Sequence, residues 1–434
     1  MQTNQLPLNA GQQAAADGVF QFLMGNEKEL IISGPGGTGK TFLMGHLIDS
    51  VIPRYHGLCS LMNIPALYDT VVMTAMTNKA AETLGIATGR PVQSLHSWLR
   101  LLVKENYTTG ATFLSKSPDF KVNTGVILFI DEAYMIDDEI YRFIHDGTMN
   151  CKIIYVGDHC QLAPVMSERS AIENKKIPFF ELTEPMRNAD QPALQALCSQ
   201  LRDTVETGIF LPIQTVPGVI TLLDDNTMPD KLEEYFLNQT KNTRVLAYTN
   251  AQVTKYNAFI HELRQKPALY SVGDELVNNT AIRVNNGRMR VEEQVTITKV
   301  GITQVMQLSG ENGSLIDLEV VLLDLKGPYA TYTEIAVPTD KDYYNQVLKF
   351  YSSRKRWREF FNLKNTIPDL RPRDAATVHK AQGSTHDSVF IDMADLSMCR
   401  NPSLAARLMY VAASRAKSEI FMYGQLALKF GGYA

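Results

Sequence analysis

Leu30-Ile31-Ile32-Ser33-Gly34-Pro35-Gly36-Gly37-Thr38-Gly39-Lys40-Thr41 decides how the chain is read. A short apolar run enters a glycine-rich turn, the turn ends in Lys-Thr, and a helix-compatible run follows from Phe42 to Val51. Residues 34–41 satisfy G-x-x-x-x-G-K-[ST] at every specified position, in the strand–loop–helix context that the pattern requires. The glycines (Gly34, Gly36, Gly37, Gly39), with Thr38 among them, let successive backbone N–H groups turn inward around a phosphate. They do so at a helix N-terminus, which already favours an anion. Lys40 reaches the β- and γ-phosphates and Thr41 ligates Mg²⁺. The rest of the chain reads as machinery around a nucleotide and its metal ion.

Composition narrows the class of machinery. A chain of 434 residues, 45% hydrophobic, builds a large core and by length alone holds about three domains. No apolar run approaches the roughly 18 residues that a membrane helix needs. Met1 to Gln13 has neither a basic region nor an apolar core, so no signal peptide is expected. Five cysteines without a C-x-x-C pair point to reduced thiols and a cytoplasmic setting. The eight histidines show no metal-ligand spacing. A net charge of −4 argues against coating nucleic acid by bulk charge but leaves room for a local basic groove.

In chain order, residues 1–29 read as helical, with Gln12 placed to meet an adenine edge, although a solvated helix glutamine reads equally well. Val71-Val72-Met73-Thr74 is a β-branched run, followed by Thr77-Asn78-Lys79 and by Ser94-Leu95-His96-Ser97. Small hydroxyl residues beside the strand ends of an open parallel sheet can hold a phosphate without reading a base. Helix capping explains each alone, and more simply. Residues 99–124 are an irregular insertion with hairpin character. Val126-Ile127-Leu128-Phe129-Ile130 ends in Asp131-Glu132, the pattern of a buried parallel strand delivering two carboxylates. Asp131 is placed to hold Mg²⁺ and Glu132 to activate water. Lys152–Val156 delivers Gly157-Asp158 and then Gln161, a candidate γ-phosphate sensor. Arg187 and Arg415 are candidate arginine fingers, because a guanidinium fork matches phosphate oxygens, although a surface ion pair is the stronger reading of a lone arginine until the motifs are taken together. Residues 266–373 break the α/β rhythm with short strands and turns, including the hairpin signal Asn286-Gly287. A helical arm around 349–361, rich in arginine and aromatics, could stack bases. Packed aromatics with solvated arginines is the stronger reading there.

Taken in order, GPGGTGKT at 34–41, TNKAAETL at 77–84, SLHS at 94–97, DEAYM at 131–135 and GDHCQLAPV at 157–165 resemble the motifs of superfamily 1 DNA helicases. LTEPMRN at 182–188, LAYTNAQVTKYN at 246–257, ATVHKAQGS at 376–384 and YVAASRAK at 410–417 extend the likeness over nearly the whole chain. The resemblance is to the 5′→3′, RecD-like branch, superfamily 1B. It implies an α/β fold of two RecA-like parallel-sheet domains, 1–98 with 125–190 and 191–265 with 374–434, forming an ATP cleft. It also implies a strand-separating pin at 99–124 and an SH3-like β domain at 266–373 whose extended arm meets the pin. Lys40, Glu132, Gln161, Arg187 and Arg415 would be catalytic, Thr41 and Asp131 would hold Mg²⁺, and Gln12 and Gly383 would join the nucleotide site. Thr77, Asn78, His96, Thr249, Asn250, Thr377 and His379 would lie along single-stranded DNA, with Phe113 stacking on a base.

The activity implied is ATP-dependent 5′→3′ translocation on single-stranded DNA with separation of forked duplex, in phage replication or recombination. The partners are DNA and single-strand-binding or replication proteins, and the enzyme would be a monomer of the host cytoplasm if phage-encoded. A translocase that mainly displaces bound proteins shares every catalytic residue. A non-hydrolysing DNA-binding module and a small-molecule kinase leave more of the motifs unexplained. Two departures stand out: the family usually has proline at Met76 and serine at Tyr134.

Overall fold

The structure is a computed structural model, which describes residues 7–164, 169–173, 175–184, 191–237, 242–266, 270–284, 287–328 and 330–433. It divides into two compact units. One comprises the residues up to Arg100, Pro118–Val253 and Ala376 onward; the other comprises Leu101–Ser117 and Thr254–Ala375.

The first unit holds two parallel sheets. The phosphate-loop strand Glu29–Ser33 lies between Phe179–Glu181 and Lys152–Gly157, and Val126–Asp131, Thr70–Ala75 and Val92–Ser94 follow in that order across a six-stranded sheet. Ile127 to Ile130 have no exposure, which is why this strand is apolar at consecutive positions rather than alternating: helices cover both faces. The second sheet runs Ile220–Leu223, Ala416–Tyr423, His386–Asp392, Thr243–Ala247, Ala375–Thr377. Strands up to residue 181 belong to the first α/β half and those from 220 to the second, yet both halves fall in one unit. The N-terminal helix, Ala10–Met24, opens with a capping box in which Asn9 and Gln12 satisfy each other's backbone. Its C-terminal end is pinned by Lys152, only 1% exposed, whose ammonium donates to the carbonyls of Phe22 and Gly25 at 2.7 and 2.8 Å and to that of Glu27.

The second unit is built on a five-stranded sheet ordered Thr331–Pro338, Leu315–Lys326, Gln294–Ser309, Glu275–Asn278, Leu370–Pro372, with neighbouring strands antiparallel throughout. Ile282–Val284 pairs with Gly287–Met289 as the sequence signal expects, although Asn286 itself lies outside the described residues. The insertion forms a hairpin, Leu101–Glu105 against Thr112–Lys116. Its tip rests on the arm, helices Lys341–Ser353 and Trp357–Thr366. Gly110, at φ 75°, sits under the Trp357 indole, where a Cβ would come within 2.6 Å of the ring. Tyr107 meets Phe361 edge-on at 5.8 Å, and Asn365 Nδ2 donates to Glu105 at 2.7 Å. A lone two-stranded hairpin is marginal in water, and these contacts at its tip supply the packing that it lacks by itself. Tyr351 and Phe361 are buried, so the arm's aromatics pack as the stronger reading holds. Arg354 and Arg358 are exposed, as that reading holds, with Arg354 paired to Glu311 at the surface; Arg356 is half-buried and donates to the Gly310 carbonyl and to Glu359 at 2.7 Å each.

Candidate nucleotide site and its flanking loops

The phosphate loop takes the backbone that its glycines permit. Gly37 and Gly39 stand at φ 89° and 79°, a region that only glycine enters cheaply, and Gly39 caps the helix Lys40–His46. A Cβ on Gly34 would fall 2.5 Å from the Leu182 carbonyl, while Gly36 faces open space. Thr38 Oγ1 donates to the Pro35 carbonyl at 2.9 Å, and Lys40 Nζ donates to the carbonyls of Gly34 and Pro35 at 2.6 and 2.9 Å. Gln12 is fully buried and its Nε2 donates to the Thr38 carbonyl at 3.1 Å. It therefore braces the loop, and its Oε1 accepts from Asn9 N at 3.2 Å.

Asp131 ends its strand beside Lys40. Burial pushes its carboxyl up to about 7; neighbouring Glu132 pushes the same way, and Lys40 pulls against both. Glu132 stands at φ 54°, a left-handed conformation that costs a non-glycine residue about 1–3 kcal/mol and clusters at functional sites. Gln161 is 5% exposed, and its Oε1 is buried with no partner among the described residues. Arg415, 6% exposed, is held by Ser384, Ser414 and the Val411 carbonyl. Burial lowers its pKa, and the negative charge of Glu132 draws it back up. Sheet one thus supplies Lys40, Thr41, Asp131, Glu132 and Gln161, and sheet two supplies Arg415. Gly383, at φ 79°, immediately precedes the Ser384 that anchors this arginine. Arg187 lies outside the described residues.

The two departures are structural neighbours of the site. Met76 is 8% exposed and its amide donates to the Asp131 carbonyl at 3.2 Å. Tyr134 packs on Gly157, where a Cβ would meet its ring at 2.9 Å, and burial raises its pKa to about 12. Ser33 Oγ lies 3.0 Å from His159 Nδ1. The bulk of a tyrosine at this position is accommodated because residue 157 is glycine.

The residues expected along DNA sit at strand ends. Thr77 caps the helix Asn78–Thr88 by accepting from Ala80 N, and Ser94 caps Leu95–Trp98, which carries His96. In the second sheet Thr377 caps Val378–Ala381, which carries His379. Thr249, just before the helix Asn250–Leu263, accepts from Gln252 N at 3.2 Å and donates to Asp395 at 2.9 Å. His96 and His379 both have their pKa lowered by burial, with Asp137 opposing this at His96. Phe113, in the hairpin of the other unit, is 46% exposed.

Sequence reasoning passed over Asp158, Arg202, Arg407 and Tyr410. Asp158 lies inside GDHCQLAPV, and Tyr410 opens YVAASRAK, so the signal was present in the motifs themselves. What was missing was that they touch: Asp158 accepts from Arg202 at 2.7 Å and from the Tyr410 hydroxyl at 2.6 Å.

Residues 7–210 match the AAA domain family and residues 374–423 match the UvrD-like helicase C-terminal domain. The chain is 23% identical to the ATP-dependent DNA helicase dda of Enterobacteria phage T4, over 95% of this chain and 98% of that protein. Among solved structures, a Bacteroides Pif1 helicase in complex with ADP-AlF3 and single-stranded DNA covers 98% of this chain and 94% of its own, at 14% identity and a TM-score of 0.50. A Pif1 structure described for unwinding at forked duplex covers 96% of this chain and 92% of its own, at 16% identity and a TM-score of 0.51. The likeness to these structures is one of fold, two RecA-like sheets in one chain.

Proposed function

We infer that this chain is a superfamily 1B DNA helicase driven by ATP hydrolysis. The observation that supports this reading is that the residues proposed for hydrolysis are divided between two RecA-like sheets. The phosphate loop, Asp131-Glu132 and Gln161 come from one, and a buried arginine acted on by Glu132 comes from the other. A small-molecule kinase has no use for the second sheet, and a passive DNA-binding module has no use for Glu132 or Arg415.

The residues fit a triphosphate and its metal. The loop glycines leave room at Gly36, and Gln161 Oε1, buried without a partner among the described residues, awaits a donor such as an attacking water. Thr41 and Asp131 offer the hard oxygen donors that Mg²⁺ prefers and would hold it. When bound, the metal neutralises charge on the β- and γ-phosphates. Lys40 leaves its loop carbonyls for the phosphates, Glu132 takes the proton of the attacking water, and Gln161 orients that water. Arg415, and Arg187 as the second finger, stabilise charge on the transferring phosphoryl group. Because Arg415 comes from the sheet that does not carry the phosphate loop, ATP favours a closed cleft through contacts that the products lose.

Thr77, Asn78 and His96 grip single-stranded DNA on one sheet, and Asn250, Thr377 and His379 grip it on the other, where Thr249 shapes the loop through its bond to Asp395. Alternating grips move the protein 5′→3′. The hairpin 101–116, braced by the arm, acts as the strand-separating pin with Phe113 outward, and the antiparallel unit serves as its SH3-like mount. One chain carries the whole ATPase set, so a monomer suffices. Among the described residues no helix is long and apolar enough to cross a membrane.

The test is ATP hydrolysis with and without single-stranded DNA, then unwinding of 5′- and 3′-tailed duplexes. DNA should stimulate hydrolysis strongly, and Glu132→Gln should remove about a hundredfold or more of it. A 5′ tail should be required for unwinding. Hydrolysis indifferent to DNA would sink this reading. Release of a bound protein without separation of a forked duplex would replace it with a translocase.

A further inference from the structure

The segment bearing Gln161 leaves the first half's sheet but is held by the second half. Cys160 and Leu162 are buried in the same core cluster as Leu194, Leu197, Leu408 and Met409, all from helices of the second half. Asp158, 1% exposed, is bonded to Arg202 and Tyr410 on those two helices. Arg407 completes the grip: its Nη1 donates to the backbone carbonyls of His159 and, at 2.6 Å, of Gln161 itself. Its Nη2 lies 4.0 Å from Glu173, which steadies the guanidinium from the other side. Arg407 and Tyr410 are three residues apart on the helix Pro402–Ala413, hence on one face of it. The same helix is capped by Ser414, which bonds Arg415 at 2.8 Å.

We propose that Arg407 is a positioning residue of the ATPase. It fastens the backbone of Gln161 to the helix that carries Arg415, so that sensor and finger meet the γ-phosphate as one body. The proposal rests on the hydrolytic reading of the site. The physical reason lies in how little holds the Gln161 side chain, whereas its backbone N–H donates to the Asp158 carbonyl at 3.0 Å. Its Oε1 has no partner among the described residues and its Nε2 reaches Asp158 only at 3.5 Å. The amide is therefore aimed by its backbone. Asp158 anchors the root of the segment, and Arg407 anchors the residue that matters. One guanidinium nitrogen, Nη1, spends its two N–H groups on the two carbonyls, and the long side chain carries it from the helix to reach them.

The experiment is a double-mutant cycle with Arg407→Gln and Gln161→Ala in the full chain. It reads kcat and KM of DNA-stimulated hydrolysis, the affinity for a fluorescent non-hydrolysable ATP analogue, and thermal stability. Each single variant should lower kcat about tenfold or more while analogue affinity stays within about threefold, and the double variant should fall no further than Gln161→Ala alone. Arg407→Lys, which keeps the charge and an ammonium able to donate to both carbonyls but loses the planar guanidinium, should recover part of the loss, and it replaces Arg407→Gln if that variant does not fold. Multiplicative losses in the double variant, or wild-type kcat in Arg407→Gln, would overturn the proposal. A wild type that ignores DNA would instead overturn the helicase reading, and this proposal with it.

Discussion

The two α/β halves repeat one device and use it differently. In the first sheet, Thr70–Ala75 leads to Thr77-Asn78 and a helix, and the adjoining edge strand Val92–Ser94 leads to Leu95-His96. In the second sheet, Thr243–Ala247 leads to Thr249-Asn250 and a helix, and the adjoining edge strand Ala375–Thr377 leads to Val378-His379. Both pairs place a hydroxyl cap and a partly buried, neutral-leaning histidine at neighbouring strand ends. The halves differ in what the hydroxyl still has to give. Thr249 spends its proton on Asp395, whereas the Thr77 hydroxyl accepts from Ala80 N and finds no acceptor for its own proton among the described residues. Equivalent positions in a duplicated architecture thus need not offer equal chemistry. The halves also differ at the nucleotide. The first presents its groups through a strained backbone, the second through Arg415, just past the end of the buried helix Pro402–Ala413.

The comparison can be broken in three places. The largest effect is expected at the nucleotide: Arg415→Ala should reduce single-turnover hydrolysis about a thousandfold. Arg415→Lys should be nearly as poor, because a point charge cannot replace the fork. A variant retaining more than a tenth of wild-type turnover would place the second half's contribution elsewhere. Next come the two threonines. Thr77→Val should weaken single-stranded DNA binding about fivefold, the worth of one hydrogen bond, seen by fluorescence anisotropy. Thr249→Val should leave affinity nearly unchanged but cost about 1–2 kcal/mol of stability through the lost cap and the lost partner of Asp395. The reverse pattern would show that the Asp395 bond breaks on DNA binding.

The smallest effect concerns the histidines. Burial lowers the pKa of His96 and His379 in the folded protein, so the unfolded chain binds their protons first as pH falls. Stability should be flat above the ordinary histidine range and decline as pH drops through about 6.5. DNA affinity at fixed ionic strength should not rise between about pH 8 and 6.5 by imidazolium formation. A rise abolished by His96→Gln and His379→Gln together would show that these rings charge against the backbone phosphates.

Much of the site is legible in the chain because it is local. Gly34 to Thr41 form their loop from their own backbone preferences, and Asp131-Glu132 follow an apolar strand that has nowhere to go but the centre of a sheet. The caps Thr77, Ser94 and Thr377 announce themselves by hydroxyls three residues before the amides that they accept from. The strong core strands and the hairpin at 101–116 follow from pattern and turn chemistry in the same way. The arm's packing was legible as a tendency, but the pairing of Arg354 and Arg356 with Glu311 and Glu359 was not, since ion pairs leave no periodic mark.

Short-range pattern in the sequence marks the phosphate loop, the buried strand ending in Asp131-Glu132 and the helix caps, while the pair of RecA-like sheets was implied by the resemblance of the ordered motifs. Only the tertiary structure decided which groups meet across the fold. Asp158 finds Arg202 and Tyr410, Arg407 finds the carbonyls of His159 and Gln161, and Gln12 turns from solvent to brace Thr38. Such contacts join residues up to 252 positions apart, and a long side chain's reach is set by how sheets and helices pack, which no local spacing encodes.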